Sequence, residues 1–206
     1  MLCSVFRDAG ESGLIPPGEG AEAAIDSTGL SATVRSAHYA RRRRDGNRRY
    51  RYSRYPKLTL VCHTATHLVA AALATVGPSY DSPLFAPAVL AASWNLEIDR
   101  LLADSAYDAE PNHVTAREHL GVRSTVIAVN RRRTRKWPRQ RYRRQMRRRF
   151  HRRKYGQRWQ AESVFSRIKR RLGSALRGRS DASRQREAHV RVLTHNLMIL
   201  AARDSK

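Results

Sequence analysis

Tyr155, Arg158, Glu162 and Lys169 stand in the spacing Y-x2-R-x3-E-x6-K. Offsets of 3, 7 and 14 residues bring all four to one face of an α-helix. Two further acids, Asp26 and Asp104, each end an apolar run that reads as a strand, in "AEAAIDSTGL" and "LEIDRLLADSAYD". Three carboxylates brought together repel one another. At about 4 Å and an effective dielectric near 20, each pair costs roughly 4 kcal/mol. A divalent cation removes that cost, and Mg2+ takes one or two carboxylates while keeping waters and phosphate oxygens. Two such ions about 3.5–4 Å apart can activate a water or hydroxyl and stabilise the leaving oxygen of a phosphodiester. Each acid alone also has a structural role open to it. Asp26, ahead of Ser27 and Thr28, suits a turn or cap; Asp99 and Asp108 compete with Asp104 as ligands; Glu162 could pair with Arg158, four residues earlier.

Charge narrows the partner. The 206 residues carry 41 Lys and Arg against 17 Asp and Glu, a formal net charge of +24. From Arg131 to Lys154, fifteen of twenty-four residues are basic and none is acidic, and a second run, "RRRR", fills 41–44. Such a field attracts polyanions, so nucleic acid is the expected partner. Arg outnumbering Lys favours forked contacts to phosphate. The basic runs lack the wide apolar face of an interfacial helix, so no membrane partner is expected. The longest apolar run, Leu68 to Gly77, is too short to span a bilayer. Cys3 and Cys62 form no metal-ligand spacing and no disulfide framework, which suits a reducing cytoplasm.

Elements that could position the acids follow from the patterning. The Gly- and Pro-containing leader, residues 1–20, is expected to be poorly ordered, with one domain over 21–206. Basic excursions are expected at 35–55 and 131–154. "KLTLVC" and "HLVAAALATV" read as a hairpin, "SPLFAPAVLAASW" as a helix with Pro in its first turn, and "RSTVIAVN" as a strand. A helix is expected over about 156–172, with Val164, Phe165, Ile168 and Leu172 on its apolar face. A last one, about 184–202, should dock through Val190, Leu193, Leu197 and Leu200. Three strands, helix, strand, helix, strand and two helices make an α/β class with a mixed sheet and helices on its faces. That is the order of a ribonuclease H-like fold, in which the strands bearing Asp26 and Asp104 are neighbours.

The spaced signature resembles that of DDE transposases of bacterial insertion sequences. "AIDSTGL" is similar to that family's first-Asp strand, "LLADSAYDAEPNH" to its second-Asp segment and "RLGSALRGRSDASRQREAHVRVLTHNLMIL" to its closing segment. The resemblance covers about residues 22–200. It implies a metal-binding catalytic triad of Asp26, Asp104 and Glu162, with two Mg2+ ions or Mn2+ in their place. It implies that Tyr155, Arg158 and Lys169 contact DNA phosphates near the scissile bond. The implied reaction is hydrolysis at the element's end followed by transesterification into target DNA, by a homodimer on paired ends, in the cytoplasm at the nucleoid. Some relatives pass through a DNA hairpin and stack a flipped base on an aromatic ring. Trp137 and Trp159 are available here, though core positions are the expectation for both. With 25 residues ahead of Asp26, the chain reads as an N-terminally truncated member. A remnant that binds DNA without cutting it is the competing reading.

Overall fold

A computed structural model of the protein describes residues 2–16, 20–32, 54–130 and 137–204. Its centre is a five-stranded sheet of β1 (Ala21–Gly29), β3 (Tyr55–His63), β4 (Val69–Gly77), β5 (Ile98–Ala103) and β6 (Ser124–Ile127), in the order β4-β3-β1-β5-β6. β3 and β4 form the expected hairpin; β1 lies antiparallel to β3 and parallel to β5, and β5 runs parallel to β6. The short β2 (Ser31–Ala32) pairs with β7 (Ala175–Leu176) in a second, two-stranded sheet. Helices flank the main sheet, the mixed α/β architecture expected of a ribonuclease H-like domain.

Alternation along the central strands divides the core into two layers. Ala23, Ile25, Leu101, Ala103 and Ile127 face one way, against α1 (Leu2–Glu11) and α2 (Ser82–Ser93). Ala24, Leu58, Leu60, Leu102 and Val126 face the other. There they meet Ala161, Val164, Phe165 and Ile168 of α6 (Trp159–Leu172), a helix ended at Gly173 with φ +91°. The same parity sends Asp26 and Asp104 to the α6 face, so the period of two chooses the side on which the acids emerge.

The leader departs from expectation. Residues 2–11 form α1, whose Val5, Phe6 and Ala9 are buried in the core. Leu2, Val5, Phe6 and Ala9 recur at helical spacing, and that stripe wins because the Gly and Pro residues come mostly after it. β1 also continues to Gly29, so Asp26 sits within a strand, opposite Leu60, rather than at its end.

The last helix, α7 (Asp181–Asp204), docks through only half of the expected set: Leu193 and Leu200 pack against the core, and Val190 and Leu197 do not. Val190 and Leu197 are exposed at 59% and 50%, whereas Ala188, Val192, His195 and Asn196 are buried. The reason lies in the edge strand. Val69 N donates to Asn196 Oδ1 at 2.9 Å, and Asn196 Nδ2 donates to Val69 O at 3.0 Å. His189 Nε2 lies 3.1 Å from Ala72 O in the same strand. A helix laid along a sheet edge must offer polar groups to unpaired backbone, so a purely apolar face is not what this position requires.

The basic excursion at 35–55 lies almost wholly outside the described residues, as do 131–136. The rest of the second one is folded, as α4 (Arg141–Arg148) and α5 (Arg152–Tyr155). Acids some thirty residues earlier hold it. Glu110, at the start of α3 (Glu110–Val114), accepts the Tyr142 N–H at 2.8 Å and the Arg143 N–H at 3.0 Å, satisfying the free donors of the α4 N-terminus. Asp108 accepts from Arg143 Nε and Nη2, both at 2.8 Å, and from Asn130 N at 2.8 Å. Asp108 is therefore a structural ligand of the basic helix, not a rival of Asp104.

The same corner contains a buried histidine. His113 Nδ1 lies 2.7 Å from Thr125 Oγ1, its ring stacks on Tyr142, and its Nε2 is buried without a hydrogen-bond partner. Burial lowers its pKa from 6.5 to about 4; Glu110 and Asp108 act against this shift, and Arg117 and Arg143 with it. The unfolded chain therefore binds a proton near pH 6.5 that the folded one refuses until about pH 4. Stability from this group is complete above pH 6.5 and is lost as the pH falls toward 4, by about 3 kcal/mol in all. Urea titrations at a series of pH values should show that slope, and His113→Asn should remove it.

Candidate active site

Asp26 and Asp104 come together because β1 and β5 are parallel neighbours. Ile25 is in register with Ala103, and the two acids are the next residues on each strand. Asp104 leaves the strand and starts a 3-10 turn, Ser105–Tyr107, its Oδ1 accepting the Ala106 N–H at 2.8 Å. Asp26 accepts the Ser27 N–H through Oδ1 at 2.8 Å. Both acids thus use one oxygen on local backbone, the capping role that each could also play alone.

α6 brings the third acid across this edge. Tyr155 ends α5, Gly156–Arg158 make a 3-10 turn, and Glu162 lies in the first turn of α6. Arg158 joins the elements: Nη1 lies 3.4 Å from Asp26 Oδ2 and Nη2 lies 2.6 Å from Glu162 Oε1. The expected i, i+4 pair is therefore present, and it reaches β1 as well. Tyr155 packs beside Arg158, with the guanidinium carbon 5.9 Å from the ring centroid. Lys169, two turns further along α6, donates to Thr28 Oγ1 at 2.7 Å. Asp26, Thr28, Glu162, Ser166, Lys169 and Arg170 line one open groove.

Burial is uneven across the site. The Asp26 side chain is 16% exposed and that of Glu162 57%. Burial pushes the Asp26 pKa up to about 6, against the Ser27 N–H and Arg158, which lower it; Asp104 and Glu162 raise it further. Asp26 thus feels both of the other acids. A chain of hydroxyls lies behind it: Ser27 Oγ is 2.7 Å from Thr59 Oγ1 and 2.8 Å from Tyr107 Oη. Tyr107 is fully buried, and burial raises its pKa. Nothing in the spacing of the acids points to this chain. The Tyr-Asp pair after Asp104 is its only trace in the sequence: Tyr107 braces β1 and Asp108 braces α4.

A family model described as transposase DDE domain matches residues 18–197. The chain belongs to that family. The matched span contains the four residues of the spaced signature together with Asp26 and Asp104, and it ends within α7. No curated protein matches the sequence. DNA transposition is accordingly the general process in which this DDE domain belongs, with DNA as its partner and metal-dependent polynucleotidyl transfer as the family's chemistry. No described helix is long and apolar enough to cross a membrane.

The donor set suits the divalent ion that such chemistry uses. All three side chains offer hard carboxylate oxygens, and two of them already share one cation, the guanidinium of Arg158. Among the described residues no group of three or more His, Cys, Asp or Glu side chains is arranged to hold a metal. Trp137 and Trp159, expected in the core, are exposed at 51% and 53%. Trp137 lies under the Arg147 guanidinium, 5.0 Å from its ring centroid.

Proposed function

We propose that this DDE domain cuts phosphodiesters at the ends of a mobile element and joins the freed 3′-OH to target DNA. What supports the reading is that Arg158 bridges Asp26 and Glu162, and that Asp26 and Asp104 follow residues in register on neighbouring parallel strands. Asp26, Asp104 and Glu162 would hold Mg2+, two ions in the arrangement usual for such chemistry, and Mn2+ could replace it. Bound there, the metal supplies charge neutralisation and a more acidic water or hydroxyl.

The chain's own groups bind and orient the DNA. Arg158, Lys169 and Tyr155 lie beside the acids at positions suited to the phosphates flanking the scissile bond. In the first step a water oxygen bonds to phosphorus, the P–O3′ bond breaks, and the 3′ oxygen leaves as a hydroxyl. In the second, that hydroxyl attacks a target phosphorus and displaces the target's 3′ oxygen. Each step forms one P–O bond and breaks one, so no covalent link to protein is needed. The exposed guanidinium groups of Arg141, Arg144 and Arg148 add sequence-independent hold on the backbone. A dimer assembled on paired ends completes the reading, acting at the nucleoid.

Incubation with duplex carrying the inverted ends that flank its gene tests this. Nicking at the element's end should require Mg2+, stop on addition of EDTA, and return with excess Mg2+ or Mn2+. Nicking that continues in EDTA would sink the metal-dependent reading.

A further inference from the structure

The two cations nearest the acids are engaged differently. Lys169 meets a neutral hydroxyl, Thr28 Oγ1 at 2.7 Å, which a phosphate can replace at little cost. Arg158 is held by two carboxylates, Asp26 at 3.4 Å and Glu162 at 2.6 Å, with its side chain only 21% exposed. A cation seated between two carboxylates opposes the entry of another cation there. A phosphate, in turn, competes with the carboxylates for the guanidinium, whose fork matches either anion.

We propose that Arg158 is a built-in counter-ion that closes the Asp26–Glu162 pair until a DNA phosphate draws it away, coupling DNA binding to metal binding through one side chain. The proposal rests on the reading of Asp26 and Glu162 as metal ligands. It assigns Arg158 a role before any phosphodiester is cut: without DNA it keeps the acids neutralised and the metal site shut. Coupling of this kind is reciprocal, so metal must also strengthen DNA binding by the factor with which DNA strengthens metal binding. Lys169 contacts neither carboxylate partner of Arg158 in this structure, and its replacement should leave the coupling in place.

Mn2+ titrations followed by the electron paramagnetic resonance of the free ion test this without any need for turnover. Arg158→Gln keeps the length and polarity of the side chain and removes its charge. In the DNA-free protein it should bind Mn2+ about tenfold more tightly than wild type. A short duplex of arbitrary sequence should tighten Mn2+ binding to wild type and leave Arg158→Gln nearly unchanged. If Arg158→Gln binds Mn2+ no better than wild type, or if duplex tightens both equally or neither, the counter-ion role is wrong. Adding Asp26→Asn to Arg158→Gln separates the two claims. If Mn2+ affinity survives that second change, the metal-ligand reading of Asp26 fails instead. A thermal melt of Arg158→Gln matching wild type shows that the comparison is between folded proteins.

Discussion

Asp26→Asn and Glu162→Gln should each reduce Mg2+-dependent nicking by about a thousandfold, while binding to duplex DNA stays within a few-fold of wild type. The size follows from charge. Each substitution keeps shape and removes one negative unit from the proposed three-carboxylate metal site. An interaction of roughly 4 kcal/mol between charges at contact distance corresponds to about three powers of ten in rate. Stability should not follow activity. Asn at position 26 still offers an oxygen to the Ser27 N–H and removes a charge that burial disfavours. Glu162 is 57% exposed, so its neutral form costs the fold little. Duplex binding should hold or tighten slightly, because both changes loosen Arg158 from its carboxylates. Nicking rates measured beside thermal melts and binding isotherms check all three statements. Variants that melt like wild type and still nick at its rate would leave these acids with structural roles alone, whereas a wild-type protein that binds duplex without nicking it is the outcome expected of a DNA-binding remnant.

Asp108→Asn should be the most destabilising of the acid-to-amide changes, by about 3–5 kcal/mol, the usual cost of breaking a buried ion pair by removing one partner. The Asp108 side chain is 0% exposed and that of Arg143 15%, so the guanidinium left behind cannot recover its loss in water. The Asn130 N–H loses a charged acceptor in the same step. For a domain of this size the melting temperature should fall on the order of 10 °C. Combining Asp108→Asn with Arg143→Met removes the stranded charge and should restore part of the loss. Calorimetry of the two single variants and the double variant checks this. A melting temperature for Asp108→Asn within a degree or two of wild type would mean that the α4 anchor lies elsewhere, with Glu110 the next candidate.

What was legible in the sequence follows the range of the forces involved. Strand alternation is local, so the hairpin, β5 and the α6 face with Val164, Phe165 and Ile168 could be read directly. The pairing of Asp26 with Asp104 required only that β1 and β5 be neighbours, which the order of elements implies. The basic stretch after residue 136 could not be read locally, because the acids that fold it, Asp108 and Glu110, lie some thirty residues away. A count of charges within the stretch finds only repulsion. Only part of the docking face of α7, Leu193 and Leu200, was legible, for a related reason: Asn196 and His189 look like surface residues until a strand edge is placed beside them. The leader's Gly and Pro content points to disorder, while the helical spacing of Leu2, Val5, Phe6 and Ala9 ahead of most of them is what folds it. At the site, the Arg158–Glu162 spacing foretold an ion pair, while its extension to Asp26 depends on the packing of α6 over β1.

The central claim is that Asp26, Asp104 and Glu162 jointly hold the catalytic metal. Iron-directed cleavage of the protein backbone tests it most directly. Fe2+ takes the place of Mg2+ in the presence of duplex, and ascorbate and peroxide then generate hydroxyl radicals at the bound ion. The account predicts cuts clustered beside residues 26, 104 and 162, suppressed by excess Mg2+ and absent from Asp26→Asn. Cuts confined to other segments, or an unchanged pattern in Asp26→Asn, would contradict it.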